Sequence, residues 1–65
     1  MRIDRAKLAA EMARREWRYK LLSEMTGISS ATLSAITGGK KVTEGTAQKI
    51  AQAFNMPLAD LLEEV

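Results

Sequence analysis

Residues 26–41 constrain this chain more than any other stretch. Gly27 can close a helix in the left-handed conformation, and Ser29, two positions on, can accept a hydrogen bond from the first free amides of the next helix. Leu33 and Ile36, with Ile28 just ahead of them, supply an inward side, while Ser30, Ala31, Ser34 and Ala35 point away. Gly38-Gly39 then stops this short helix and Lys40-Lys41 follows at once. An outward face with no long side chain, flanked by two positive charges, can sit very close to a partner. Taken without those charges, the same face would equally suit an ordinary solvated helix.

A chain of 65 residues buries only about 60% of its unfolded surface, so its core must be economical. The absence of Cys and His removes disulfides, thiolate and imidazole metal sites and the usual nucleophile pairs. No cofactor or metal is expected. Apolar runs are only a few residues long, and Arg2, Asp4, Arg5 and Lys7 charge the amino-terminal stretch. Neither a membrane span nor a signal peptide is therefore expected, and the sequence reads as soluble and cytoplasmic. The formal charge of +2 is unevenly spread: residues 1–49 hold all ten basic residues, whereas residues 50–65 carry only Asp60, Glu63 and Glu64. A basic face on a small domain suits a polyanion, although a mixed solvated surface can produce such a difference by chance.

Taken in order, Asp4 begins a helical pattern in which Leu8 and Met12 lie one turn apart, with Ile3 just ahead and Ala6, Ala9, Ala10 and Ala13 filling the gaps. Arg14-Arg15-Glu16 forms its polar exit. A second helix runs to Gly27 from Arg18 as N-cap, which places Trp17 and Leu22 at the two positions of a hydrophobic staple, so that the only Trp seals this corner. Neither half of a capping box is present, since Arg18 and Leu21 occupy its positions, and a missing cap typically costs about 1 kcal/mol. Arg18 and Tyr19, a cation and a phenol at a helix N-terminus, suit a phosphate that also meets the free amides there. The plainer alternative is a helix that starts one residue away.

After the presented helix, Thr43 caps a fourth one over residues 44–54, with Ala47, Ile50, Ala51 and Phe54 as its apolar stripe. Asn55 is a left-handed stop and Pro57 opens a last helix over residues 58–64, with Leu58, Leu61 and Leu62 inward. No segment alternates with period two over strand length, and no repeat or linker divides the chain. The expected fold is all-α, a compact bundle of five short helices forming a single domain over residues 1–65.

With its helices placed, the chain resembles the helix-turn-helix domain of phage repressor and Cro proteins, the XRE-like regulators, and hence a lambda-repressor-like fold. The resemblance covers nearly the whole chain. It rests on Leu22-Ser23-Glu24-Met25-Thr26-Gly27-Ile28-Ser29, similar to the family's Leu-Ala-Glu-x-x-Gly-Val/Ile-Ser, then on Thr32-Leu33-Ser34-Ala35-Ile36 and Gly39-Lys40-Lys41. Thr46-Ala47-Gln48-Lys49-Ile50-Ala51 and Leu58-Ala59-Asp60-Leu61-Leu62 continue the match. The family's docking implies that the helix over residues 30–37 enters the major groove of double-stranded DNA, with Ser30, Ala31, Ser34 and Ala35 on base edges. Phosphate contacts fall on Tyr19, Lys40, Lys41 and Thr43, with Arg18, Lys20 and Thr46 beside them, while Thr32 near the junction could serve either role. A homodimer on two half-sites is compatible with this, and no small-molecule ligand or membrane is implied.

Relatives often carry Gln, Arg or Lys where this chain has Ser30, Ala31 and Ala35. Such a face can form no bidentate Arg–guanine or Gln–adenine pair, each worth about 1–3 kcal/mol of discrimination. Two options follow. Alanine methyls and hydroxyls give A·T-leaning recognition of modest specificity, or readout comes from Arg18, Tyr19, Lys20, Lys40 or Lys41. A His-free and Cys-free domain with unusual residues only on the DNA side would also describe a redesigned binder on a natural scaffold, with the same class of function.

The competing function is a protein-interaction module of the antitoxin or anti-repressor type on the same fold. Met25 is expected to tuck against the first helix as core; exposed beside Leu21 and Tyr19, it would instead offer a patch to a protein partner. The cations discriminate, because DNA requires Arg18, Lys20, Lys40 and Lys41 to converge on the side of the small face. An enzyme is not expected, since these residues assemble neither a Gly-rich phosphate cradle nor an acid–base constellation.

Overall fold

Most helix boundaries fall where a local side chain or a left-handed residue satisfies backbone groups. The computed structural model describes residues 1–63, and in them lie α1 (Arg5–Arg15), α2 (Tyr19–Thr26), α3 (Ser30–Thr37), α4 (Glu44–Ala53) and α5 (Leu58–Leu61), with no strand among the described residues. The Asp4 carboxylate accepts from the amides of Ala6 and Lys7 at 2.9 and 3.1 Å and so caps α1. Ser29 and Thr43 do the same for α3 and α4 through the amides of Thr32 and Thr46. Arg18 caps α2 without a side-chain hydrogen bond, as its chemistry requires. Gly27 (φ 76°) and Asn55 (φ 56°) provide left-handed stops.

α1 ends on Glu16, a left-handed residue (φ 57°) that nothing in the pattern announces. A non-glycine residue in this conformation is strained by about 1–2 kcal/mol. Glu16→Gly is therefore expected to stabilise the domain by about 0.5–1 kcal/mol, read from the urea midpoint at constant slope.

The core lies between the helices and, among the described residues, contains no polar side chain. Leu8 and Met12 enter it from α1, Leu22 from α2, Leu33 and Ile36 from α3, and Ala47, Ile50 and Ala51 from α4, whose cap residue Phe54 closes one end. α2 packs on α3 and α4, α1 on α3, and α4 on α5. Alanines at two of the buried α4 positions keep the helix backbones close.

Trp17 does seal a corner, but its ring lies on Phe54, with centroids 5.4 Å apart and planes at 20°. The Arg15 guanidinium covers both rings at 5.5 and 5.1 Å and donates to the Phe54 carbonyl at 2.8 Å. Glu11 holds this cation in place, accepting from Arg15 at 2.6 Å and pairing also with Arg14. The hydrogen bond from Arg15, aided by the charges of Arg14 and Arg15, lowers the Glu11 pKa below its ordinary value despite the opposing effect of desolvation.

Three expectations are corrected here. α5 ends at Leu61, because Leu62 leaves the helix to form an antiparallel bridge with Ile3; the expected end at Glu64 lies outside the described residues. Residues 1–4 thus act as an extended strap. On one edge Asp4 donates to the Leu61 carbonyl and Glu63 to that of Arg2, both at 2.9 Å. On the other, Met1 and Val42 exchange backbone hydrogen bonds at 3.3 and 2.8 Å, and Ile3 is buried between. Secondly, α4 stops at Ala53, with Phe54 as its cap. Thirdly, Met25 is not core: it is 50% exposed, one turn from Leu21 at 40%. Leu22 and the turn residue Ile28 already fill the inward side of this region, which leaves the Met25 position facing out.

Candidate nucleic-acid interface

α2, the turn and α3 are fixed by short-range chemistry. The Gly27 amide donates to the Ser23 carbonyl at 2.8 Å, and the Thr26 hydroxyl donates to Leu22 at 2.7 Å while accepting from the Ile28 amide at 3.2 Å. Thr26 is a determinant of the turn that the helical pattern did not single out, although a threonine just before a glycine stop can form such side-chain bonds. Ser29 then engages Thr32 twice, accepting from its amide at 3.2 Å and donating to its hydroxyl at 2.8 Å.

Leu33 and Ile36 anchor α3 in the core at 0% and 1% exposure. Ser30, Ala31, Ser34 and Ala35 are all exposed on the other side, as their spacing requires. The face is narrow and small in profile, so a partner can approach the helix backbone closely.

Beyond α3 the chain reverses at Gly39, whose φ of 105° lies in a region that L side chains rarely occupy. The Lys40 amide then returns to the Ala35 carbonyl at 3.1 Å. This places Lys40 and Lys41 beside the start of α4. Both line one open cleft of about 190 Å³ together with Thr43, Thr46, Val42, and Thr32 and Ile36 of α3. The Thr43 hydroxyl donates to that of Thr46 at 3.1 Å and accepts from its amide at 3.3 Å. Two lysines, three threonines and the N-terminal turn of α4 thus line one concavity, a composition suited to an anion.

Tyr19 is placed differently from expectation. It is half-buried, and its hydroxyl donates to that of Thr37 at 2.9 Å, which donates in turn to the Leu33 carbonyl at 3.0 Å. The proton expected to reach a phosphate is spent on tying the start of α2 to the end of α3. Of the four cations expected to converge, only Lys40 and Lys41 share a cleft: Arg18 and Lys20 are exposed but line a separate depression with Glu16, Leu21 and Glu24. Two acidic neighbours moderate their field there. Among the described residues no group of His, Cys, Asp or Glu could hold a metal ion, and no helix is long and apolar enough to cross a membrane.

Comparison with known proteins agrees with this geometry. The model of the Cro/C1-type helix-turn-helix DNA-binding domain matches residues 7–65, which spans every helix but the first two residues of α1. No curated protein and no solved structure gives a match. The match runs through the turn, the small-faced helix and the lysine cleft alike, and the chain belongs to the Cro/C1-type helix-turn-helix DNA-binding family.

Proposed function

We propose that this domain binds duplex DNA sequence-selectively as a transcriptional regulator, with α3 lying in the major groove and the lysine cleft on the adjoining backbone. The observation that carries this reading is the cleft itself: Lys40, Lys41, Thr43 and Thr46 share it with Thr32 of α3, so a cationic, hydroxyl-rich concavity adjoins the exposed face of Ser30, Ala31, Ser34 and Ala35. In a B-form groove about 12 Å wide, a helix without long side chains can lie deep enough for its methyls to meet thymine methyls. Lys40, Lys41 and Thr43 set register on the phosphates, with Thr46 beside them, and Arg18 and Lys20 add a longer-range positive field. Tyr19 acts through Thr37 by holding α2 against α3.

Selection of duplexes from a randomised library tests this directly. An enriched motif, bound with an affinity that falls steeply with salt, supports the reading, and its symmetry decides between one half-site and a homodimer on two. Lys40→Ala is expected to weaken all sequences alike, by about tenfold at low salt, and to lower the salt slope by about one, measured by anisotropy titrations across ionic strengths.

Leu21 and Met25, exposed one turn apart on α2, favour a second reading, a protein-interaction module of the antitoxin or anti-repressor type. Failure to enrich any duplex, with no salt-dependent binding at low ionic strength, would select it.

A further inference from the structure

The segment that carries Lys40 and Lys41 is tied to the helix before it by local bonds, from the Gly39 amide to the Ile36 carbonyl at 3.0 Å and from the Lys40 amide to the Ala35 carbonyl at 3.1 Å. Its other tie is distant in sequence. The Val42 amide donates to the Met1 carbonyl at 2.8 Å and the Val42 carbonyl accepts from the Met1 nitrogen at 3.3 Å. The strap is itself immobilised, because Ile3 is 2% exposed and the far edge pairs with Leu61 and Glu63. Backbone groups of successive residues in an extended segment face opposite edges. The pairing of Met1 with Val42, and of Arg2 and Asp4 with the opposite edge, follows that rule.

We propose that this strap is a positioning device for the phosphate-facing loop: the two-bond pair between Met1 and Val42, backed by Ile3 and residues 61–63, sets where Lys40 and Lys41 stand relative to α3. The proposal rests on the DNA reading above. Val42 is half-buried against the core and lies directly between Lys41 and the α4 cap Thr43, so fixing its backbone on both polar groups leaves Lys41 only its own torsions. Cations held in place before contact lose less freedom on meeting a phosphate than cations on a loose loop. The strap therefore acts on binding through the lysines, and no side chain of its own has to touch DNA.

The test replaces Val42 in the full chain by its α-hydroxy analogue. This exchanges the N–H for an ester oxygen and keeps every side chain. Duplex binding is expected to weaken about tenfold on all sequences, and the salt slope to fall by about one, as when a phosphate contact is lost. In the free protein, amide order parameters should drop at Lys40 and Lys41 while those of α4 hold. Arg2→Ala retains all strap backbone groups and should leave affinity, slope and order at parental values.

An ester variant with unchanged order and slope overturns the proposal. So does weaker binding at an unchanged slope, which marks a general loss of stability, and so does an Arg2→Ala variant that reproduces the slope change. If the unaltered chain shows no salt-dependent duplex binding, the DNA reading has failed instead. The order parameters of the free protein then still decide whether the strap holds the loop.

Discussion

Ala35→Glu is expected to reduce duplex binding by at least about a hundredfold and to leave the folded domain intact. Ala35 is exposed near the carboxyl-terminal end of α3, opposite the buried Leu33 and Ile36, so a longer side chain meets no neighbour in the core. Glutamate is a good helix former, and exposed substitutions of this kind usually change stability by no more than about 0.5 kcal/mol. Brought to a groove walled by phosphates, however, its carboxylate meets like charge at short range, a juxtaposition that costs several kcal/mol. A hundredfold loss corresponds to about 2.8 kcal/mol, within that range. Anisotropy titration on the selected duplex, with a thermal melt of the same sample, measures both halves of the expectation. Binding retained within a few fold would show that this face of α3 does not meet the groove. Ser30→Ala complements it, since deleting one hydroxyl should change which sequences are preferred more than how tightly the best is bound.

Phe54→Ala is expected to bring the domain to the edge of unfolding. Truncating a buried phenylalanine typically costs about 3–5 kcal/mol, and a domain of this size has a total of only about 3–10 kcal/mol to lose. Phe54 is 1% exposed, closes the end of the core, and forms the floor on which Trp17 and Arg15 lie. Its removal opens a cavity and strips the stacked partner from Trp17 at once, so tryptophan emission should shift to longer wavelength together with the loss of helical dichroism. Met25→Ala is the matched comparison: at 50% exposure it should stay within about 0.5 kcal/mol of the parent. A small cost for Phe54→Ala in chemical denaturation would remove it from the core.

The helices were legible in the sequence because most of their boundaries are written locally. Ser29, Thr43, Gly27 and Asn55 act within a few residues of themselves, and each occupies the role its chemistry suggests. The inward residues of α3 and α4 follow from period alone. Glu16 was not legible, since a left-handed glutamate is imposed by the turn into Trp17, whose amide bonds back to the Met12 carbonyl at 2.9 Å. The partners of Trp17 and Arg15 were equally hidden, because Phe54 is distant in the chain and a cation over two rings leaves no periodic trace.

The pairing of Ile3 with Leu62 belongs to the same class, and it shortened the last helix. At the candidate interface, spacing placed the α3 face correctly, and Lys40, Lys41, Thr43 and Thr46 do share a cleft. It could not foresee that Tyr19 turns its hydroxyl to Thr37, or that Glu16 and Glu24 accompany Arg18 and Lys20. A side chain's nearest acceptor is a property of the packed helices, and the helical period is silent about it.

The link from Tyr19 through Thr37 to Leu33 has a calorimetric consequence. It joins the first residue of α2 to the last residue of α3 and leads on to a carbonyl in the middle of α3, so the pair is braced at the end opposite its turn. Helices braced at both ends dock as a unit and bury little surface beyond the contact itself. Association should therefore show a heat-capacity change no larger than the interface area accounts for, without the excess that accompanies folding on binding. Tyr19→Phe, which keeps the ring and cuts the brace, is the variant in which that excess should first emerge.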